Sequence, residues 1–140
     1  MHSLRNYSDR HPLILLVEDE TLALQNLAST LTAAGYDARS CSTAEEAFAS
    51  AREVRPDLII CDVVVHEQGG EEICEQIKRE TEPGEMPVMF LSANQIPDII
   101  RRRCPFGGSY YLRKPFDPEV LLDLLDKTLT STRQLAMSEG

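Results

Sequence analysis

The sequence predicts an α/β fold, a doubly wound parallel sheet with helices packed on both faces. Short apolar runs recur along the chain, Leu13-Ile14-Leu15-Leu16-Val17, Leu58-Ile59-Ile60-Cys61, Val88-Met89-Phe90-Leu91 and Tyr110-Tyr111-Leu112 among them, each bounded by polar or turn residues. Continuous runs of this kind are how strands buried on both faces read. Helical patterns, with apolar residues three and four apart, lie between them, and such alternation builds a parallel sheet joined by right-handed crossovers. The length, 140 residues, suits one domain that can bury a core without a disulfide or metal staple.

Residues 1–11 are polar and read as a flexible leader. The first strand covers about 13–18. A helix follows with Leu24, Leu27 and Leu31 on one face, and Gly35 ends it as the residue after the C-cap. The second strand is short, near 37–41. Ser42-Thr43-Ala44-Glu45 fits a capping box, in which a hydroxyl and a Glu three residues on satisfy two free N–H groups. The second helix turns Ala44, Ala47, Phe48 and Ala51 inward. The third strand is 57–61, and the third helix starts near Gly70 with Ile73, Cys74 and Ile77 buried. Residues 80–85 form a loop. The fourth strand is 87–91 and the fifth about 109–112. Between them, Pro97 and Pro105 leave room for a fourth helix of at most two turns, short or irregular. Asp117-Pro118 starts the last helix as N-cap and N1, with Val120, Leu121, Leu124 and Leu125 buried. The domain thus spans 12–130, and 131–140 is a polar, frayed tail.

Composition excludes several function classes. The formal net charge of −9 argues against a nucleic-acid surface, which needs clustered Lys and Arg. The four cysteines form no C-x-x-C pair and no zinc spacing with histidine, and free core thiols suit a reducing cytoplasm. No apolar stretch approaches the length of a membrane span, and the N-terminus has no apolar signal region.

The strand ends carry the chemistry. The first strand runs into Glu18-Asp19-Glu20, the third into Asp62, the fourth into Ser92, and the fifth into Lys114-Pro115. Parallel strands share one carboxyl edge, where open α/β folds keep their ligand crevice. Carboxylates converging there repel one another until a cation joins them, and hard oxygen donors suit Mg²⁺. A metal, an ammonium and a hydroxyl around one carboxylate form a site for an incoming phosphoryl group, and the carboxylate can be its nucleophile. Taken singly, each residue has a plainer role. Asp62 could cap a helix, Glu18 and Asp19 could favour a helix N-terminus, and Ser92 could be a turn residue. Lys114 could be a surface lysine, and Tyr111 could be core packing.

Four segments together resemble the receiver domain of two-component response regulators. They are Leu15-Leu16-Val17-Glu18-Asp19-Glu20, Pro56-Asp57-Leu58-Ile59-Ile60-Cys61-Asp62, Pro87-Val88-Met89-Phe90-Leu91-Ser92-Ala93 and Tyr111-Leu112-Arg113-Lys114-Pro115-Phe116. The resemblance covers about residues 12–130. It implies a flavodoxin-like (βα)5 fold with a five-stranded parallel sheet in the order 2-1-3-4-5. It implies that Asp62 is the phosphoacceptor, and that Asp19 holds Mg²⁺ directly and Glu18 through water. The Val64 carbonyl completes the metal site, and Ser92 and Lys114 bind the phosphoryl oxygens. Tyr111 matches an aromatic that swings inward as the hydroxyl residue moves, and the Lys114-Pro115 peptide is cis. The chain departs from the family pattern at His66, where proline is frequent, and between Pro97 and Pro105, where many receivers place an output helix.

The implied function is that of a cytoplasmic switch rather than a metabolic enzyme. Asp62 accepts a phosphoryl group from a histidine kinase or histidine phosphotransfer protein, and the protein catalyses only this step and its own dephosphorylation. No effector domain is expected after Leu129, so output passes to an unknown downstream protein, a homodimer or onward phosphoryl transfer, with no nucleic acid or membrane as direct partner. Two rivals remain at this level. One is an interaction module with a receiver fold that works without phosphorylation. The other is a Mg²⁺-dependent phosphatase, which would place a second acid where Val64 stands.

Overall fold

A computed structural model of the chain describes residues 11–81, 86–93, 99–104 and 107–139. In order, the elements are β1 (Leu13–Val17), α1 (Thr21–Ala33), β2 (Asp37–Cys41), α2 (Ala44–Val54), β3 (Leu58–Asp62), β4 (Val64–Val65), β5 (Gln68–Gly69), α3 (Gly70–Glu80), β6 (Val88–Ser92), β7 (Ile99–Cys104), β8 (Gly107–Arg113) and α4 (Pro118–Glu139). The main sheet has the order β2-β1-β3-β6-β8-β7. Its first five members are parallel, which realises the expected 2-1-3-4-5 topology. The register pairs Val17 with Cys61 and Asp62 with Leu91, so the polar residues that end these strands gather along one edge.

The apolar runs are continuous because the sheet is covered on both faces. Alternate residues of β1 divide between two cores. Leu15 and Val17 pack with Ile59, Cys61, Ile73, Ile77 and Phe90. Ile14 and Leu16 pack with Leu27, Leu31, Ile60, Met89, Leu121 and Leu125. The predicted helix faces of α1 and α3 are the buried ones. In the last helix Leu121 and Leu125 are fully buried, whereas Val120 faces outward.

Three expectations need correction. Residues 99–104 form no helix. They are a sixth strand, antiparallel to β8, with Ile100 opposite Tyr111 and Arg102 opposite Ser109. A helix of so few residues closes few internal hydrogen bonds, whereas a partner strand takes the N–H and C=O groups along one whole side. The β-branched pair Ile99-Ile100 also suits a pleat. The flanking Pro97 and Pro105, and the leader 1–10, lie outside the described residues. Second, α4 continues to Glu139, beyond the residue 130 at which a frayed tail was expected. Third, the capping box sits one residue later. The Thr43 hydroxyl accepts from the N–H of Glu46 at 3.1 Å, and the Glu46 carboxylate takes the N–H and the hydroxyl of Ser42. Those hydrogen bonds hold the Glu46 carboxyl below its ordinary range.

The crossover from β3 to α3 contains a feature not read in the sequence. β4 and β5 are an antiparallel hairpin joined by His66 and Glu67. Both turn residues lie in the left-handed region, with φ of 48° and 69°. Two-residue hairpin turns of this sense favour Asn-Gly, because a Cβ resists positive φ. Glu67→Gly should therefore stabilise the protein by about 0.5–1.5 kcal/mol. The check is the urea midpoint, which should rise with an unchanged slope.

Candidate functional site

The carboxyl edge brings together four of the predicted residues. Glu18 follows β1 directly and is 2% exposed. Its backbone N–H is fixed by the carbonyl of Cys41 at 3.0 Å. Asp19 is next in the chain, one residue before Glu20, whose carboxylate caps α1 by accepting from Leu22 and Ala23. Asp62 ends β3. One carboxylate oxygen from each of Glu18, Asp19 and Asp62 lies within 4.8 Å of the other two. Lys114 reaches in from the end of β8, with Nζ 2.6 Å from Glu18 Oε1 and 3.2 Å from Asp62 Oδ1. Its position is set by a 2.7 Å hydrogen bond from its backbone N–H to the Ser92 carbonyl, and the Lys114-Pro115 peptide that follows is cis.

The other predicted residues take nearby places. Ser92 ends β6 beside Asp62 and is buried. Val64 lies in β4, two residues past Asp62, with its side chain outward. Tyr111 is 8% exposed in β8 and stacks on Phe90, with ring centroids 5.0 Å apart. Its hydroxyl donates to the Glu71 carboxylate in the first turn of α3.

Two supports of the site were not evident in the sequence. The backbone N–H of His66, at the tip of the hairpin, donates to Asp19 Oδ2 at 2.7 Å, and the imidazole Nδ1 stands 3.8 Å from the same oxygen. The left-handed turn therefore aims a backbone donor at Asp19. Backbone strain of this kind is tolerated where surrounding contacts over-determine it. The second support is Gly70. A Cβ built there would lie 2.0 Å from the Asp62 carbonyl oxygen, so only glycine lets α3 start against the loop after β3. The Gly70 N–H also donates to Val63 O at 2.8 Å. A glycine before a helix pattern was the available signal, but space cannot be read from sequence.

The electrostatics follow from crowding. Burial, then the neighbouring Glu18 carboxylate, pushes the Asp62 carboxyl up to about 6 despite the opposing pull of Lys114. Burial alone would lower Lys114, but the two carboxylates outweigh it and hold the ammonium above its ordinary value. The donor set fits a hard divalent cation. Three carboxylates face one ammonium among the described residues, and a cation would relieve the excess charge while using oxygen ligands.

Beside the cluster, a cavity of about 500 Å³ opens between α1 and the turn from β8 to α4. Asn26, Leu27, Leu91, Pro115 and Phe116 line it, and Glu18 and Lys114 form its polar end.

A doubly wound sheet with paired acids, a hydroxyl and a lysine along one edge defines a class of phosphate-handling α/β domains. The comparisons with known proteins make the assignment specific. The response regulator receiver domain family matches residues 14–126, and the chain belongs to it. It is 30% identical over 125 residues to the DNA-binding dual master transcriptional regulator RpaA of a Synechocystis strain, covering 89% of this chain and 52% of that protein. It is 32% identical over 105 residues to the alkaline phosphatase synthesis transcriptional regulatory protein PhoP of Bacillus subtilis, covering 75% of this chain and 43% of that protein. The chain thus spans about half the length of the curated relatives it matches. Among solved structures, the chemotaxis protein CheY4 of Vibrio cholerae superposes with a TM-score of 0.71 at 27% identity, covering 84% of this chain and 98% of that one. A CheY-like receiver domain from Methanospirillum hungatei gives a TM-score of 0.74 at 21% identity, covering 89% and 98%, a likeness of fold. The flavodoxin-like fold is therefore that of signalling switches of two-component systems. No helix among the described residues is long and apolar enough to cross a membrane.

The raised Asp62 carboxyl has a consequence for stability. A carboxyl that titrates higher when folded binds its proton more tightly in the folded state. Its contribution is thus fully present below about pH 4 and is lost as pH rises through about 6. In metal-free protein, Asp62→Asn should be more stable than wild type at pH 7.5, by about 1–3 kcal/mol. The gain should vanish below about pH 4, where both side chains are neutral. Denaturant melts in chelator across that range check it. A constant difference at every pH would contradict the crowding.

Proposed function

We propose that the protein is the phosphoacceptor receiver of a two-component phosphorelay, with residues 12–130 as the receiver unit and Asp62 as the acceptor. The observation that carries the reading is the Lys114 ammonium held between Glu18 and Asp62, with Asp19 alongside. A carboxylate oxygen of Asp62 attacks the phosphorus of a phosphohistidine. The P–N bond breaks, and the imidazole leaves with the electron pair and takes up a proton. Lys114 already lies against Asp62, so it can follow the phosphoryl oxygens as charge moves onto them. Ser92, at the neighbouring strand end, supplies a hydroxyl donor. Glu18, Asp19, Asp62 and the carbonyl of Val64 would hold Mg²⁺, which supplies charge neutralisation for the transferred group. The raised proton affinity of free Asp62 favours neutralisation by a cation before it serves as a nucleophile.

The phosphodonor is a histidine kinase or a histidine phosphotransfer protein. The cavity beside α1 supports that reading, because its apolar walls lead to Lys114 and give a helix-borne histidine a surface to pack on. Dephosphorylation occurs at the same site by attack of water, so the only catalysis is on the protein's own acyl phosphate. A general phosphatase would need a proton donor where the apolar, outward-facing Val64 stands. A change at Tyr111 relays the phosphorylated state to a downstream protein or to a second copy of the chain, without direct contact with nucleic acid or membrane. The buried free thiols of Cys41, Cys61 and Cys74 suit the cytoplasm.

Acetyl phosphate with Mg²⁺ should add one phosphoryl group, read as a gain of about 80 Da by intact mass, and Asp62→Asn should prevent it. Lys114→Ala should slow labelling by about 10²–10³-fold, the usual effect of deleting one preorganised charge partner. Equal labelling of the Asp62→Asn protein overturns the assignment. Multiple turnover on a phosphate monoester would mark a phosphatase instead.

A further inference from the structure

Tyr111 is buried, and a buried phenol needs a partner for its hydroxyl. The partner is the Glu71 carboxylate, 40 residues away in sequence. Glu71 occupies the first turn of α3, where the helix dipole favours a negative charge, so the acceptor is itself anchored. A carboxylate acceptor also makes the stronger, charge-assisted kind of hydrogen bond.

Behind Glu71 the contacts run straight to Asp62. Gly70 donates its N–H to Val63 O, and its Cα lies so close to the Asp62 carbonyl that no side chain fits between them. The loop after β3 and the first turn of α3 are therefore packed backbone on backbone. A displacement at Asp62 moves Glu71, and with it the acceptor that holds Tyr111. On the far side of the ring, Phe90 stacks against it from β6, two residues before Ser92.

We propose that Glu71 is a positioning residue that holds Tyr111 buried and couples its orientation to the state of Asp62 through the first turn of α3. This route is separate from the one through Ser92. It rests on the reading of Asp62 as the phosphoacceptor. Tyr111 exchanges between a buried state, hydrogen-bonded to Glu71, and an outward one. A phosphoryl mimic on Asp62 favours the buried state. By linkage, whatever stabilises that state strengthens binding of the mimic by the same factor.

The test uses the full chain as wild type, Glu71→Ala, Glu71→Gln, Tyr111→Phe and the Ala/Phe double variant. Exposure of Tyr111 is read in the unphosphorylated proteins by tetranitromethane nitration with peptide mapping. Glu71→Ala should raise nitration at Tyr111 roughly tenfold, the loss expected for one hydrogen bond to a charged group. Glu71→Gln, whose amide oxygen still accepts, should stay near wild type. Beryllofluoride affinity with Mg²⁺ should fall roughly tenfold in Glu71→Ala and in Tyr111→Phe, and no further in the double variant, because the two deletions remove one interaction. Unchanged nitration and affinity in Glu71→Ala overturn the proposal. So do additive losses in the double variant, or a Glu71→Gln protein as impaired as Glu71→Ala. Should Glu71→Ala not fold, the Tyr111→Phe and Glu71→Gln proteins give the same decision from affinity alone. Wild type that binds no beryllofluoride would instead sink the phosphoacceptor reading, while nitration still decides whether Glu71 holds Tyr111.

Discussion

Two carboxylates and an ammonium share one half-buried space at the carboxyl edge of the sheet. Glu18 is almost fully buried, Asp62 is mostly so, and Lys114 Nζ sits between them at 2.6 and 3.2 Å. Buried charges are costly unless paired, and Lys114 is the group that offsets both carboxylates. The arrangement is possible because parallel strands deliver their ends to one edge, and because the backbone hydrogen bond from Lys114 to Ser92 fixes where the lysine departs. The pairing is incomplete, since three acids meet one cation. Burial first, and that residual charge second, raise the proton affinity of Asp62, and the unbalanced charge makes the site receptive to a divalent metal. Fold and reactivity thus have one origin.

The segment from Asp62 to Glu71 converts this electrostatic cluster into a mechanical one. Asp62, Val63 and Gly70 are locked by a backbone hydrogen bond and by a contact that only glycine allows. The hairpin between them places a backbone N–H on Asp19 at the cost of two left-handed residues. The hairpin therefore meets the acid cluster twice, its tip at Asp19 and its base at Asp62. The first turn of α3 is thereby packed directly on the backbone that carries Asp62.

Much of this was legible in the sequence. The parallel strands and the convergence of Glu18, Asp19, Asp62 and Lys114 followed from apolar runs ending in polar residues, because period and strand polarity decide which side chains meet, whereas the strand order came from the resemblance to receiver domains. The Asp117-Pro118 start of α4 was also legible, since capping is local. What was not legible depends on partners distant in sequence. Ile99–Cys104 carries no decisive local pattern, and its strand conformation comes from β8 beside it. The hairpin at 64–69 was hidden because His66-Glu67 lacks the Asn-Gly signature, and its conformation is held by tertiary contacts such as Asp19. Glu71 carries no signal of its own in the sequence, and Gly70 read only as a place to start α3.

The sixth strand changes what the sheet presents beyond β8. Where a helix would offer a convex side-chain face, β7 offers an edge, and among the described residues it pairs only with β8. The register sets Ile100 opposite Tyr111, so β7 is bonded to the strand whose aromatic Glu71 holds. The contacts from Asp62 through Gly70, Glu71 and Tyr111 therefore end at the backbone of the edge strand. That strand carries Arg101-Arg102-Arg103 within a chain of net charge −9.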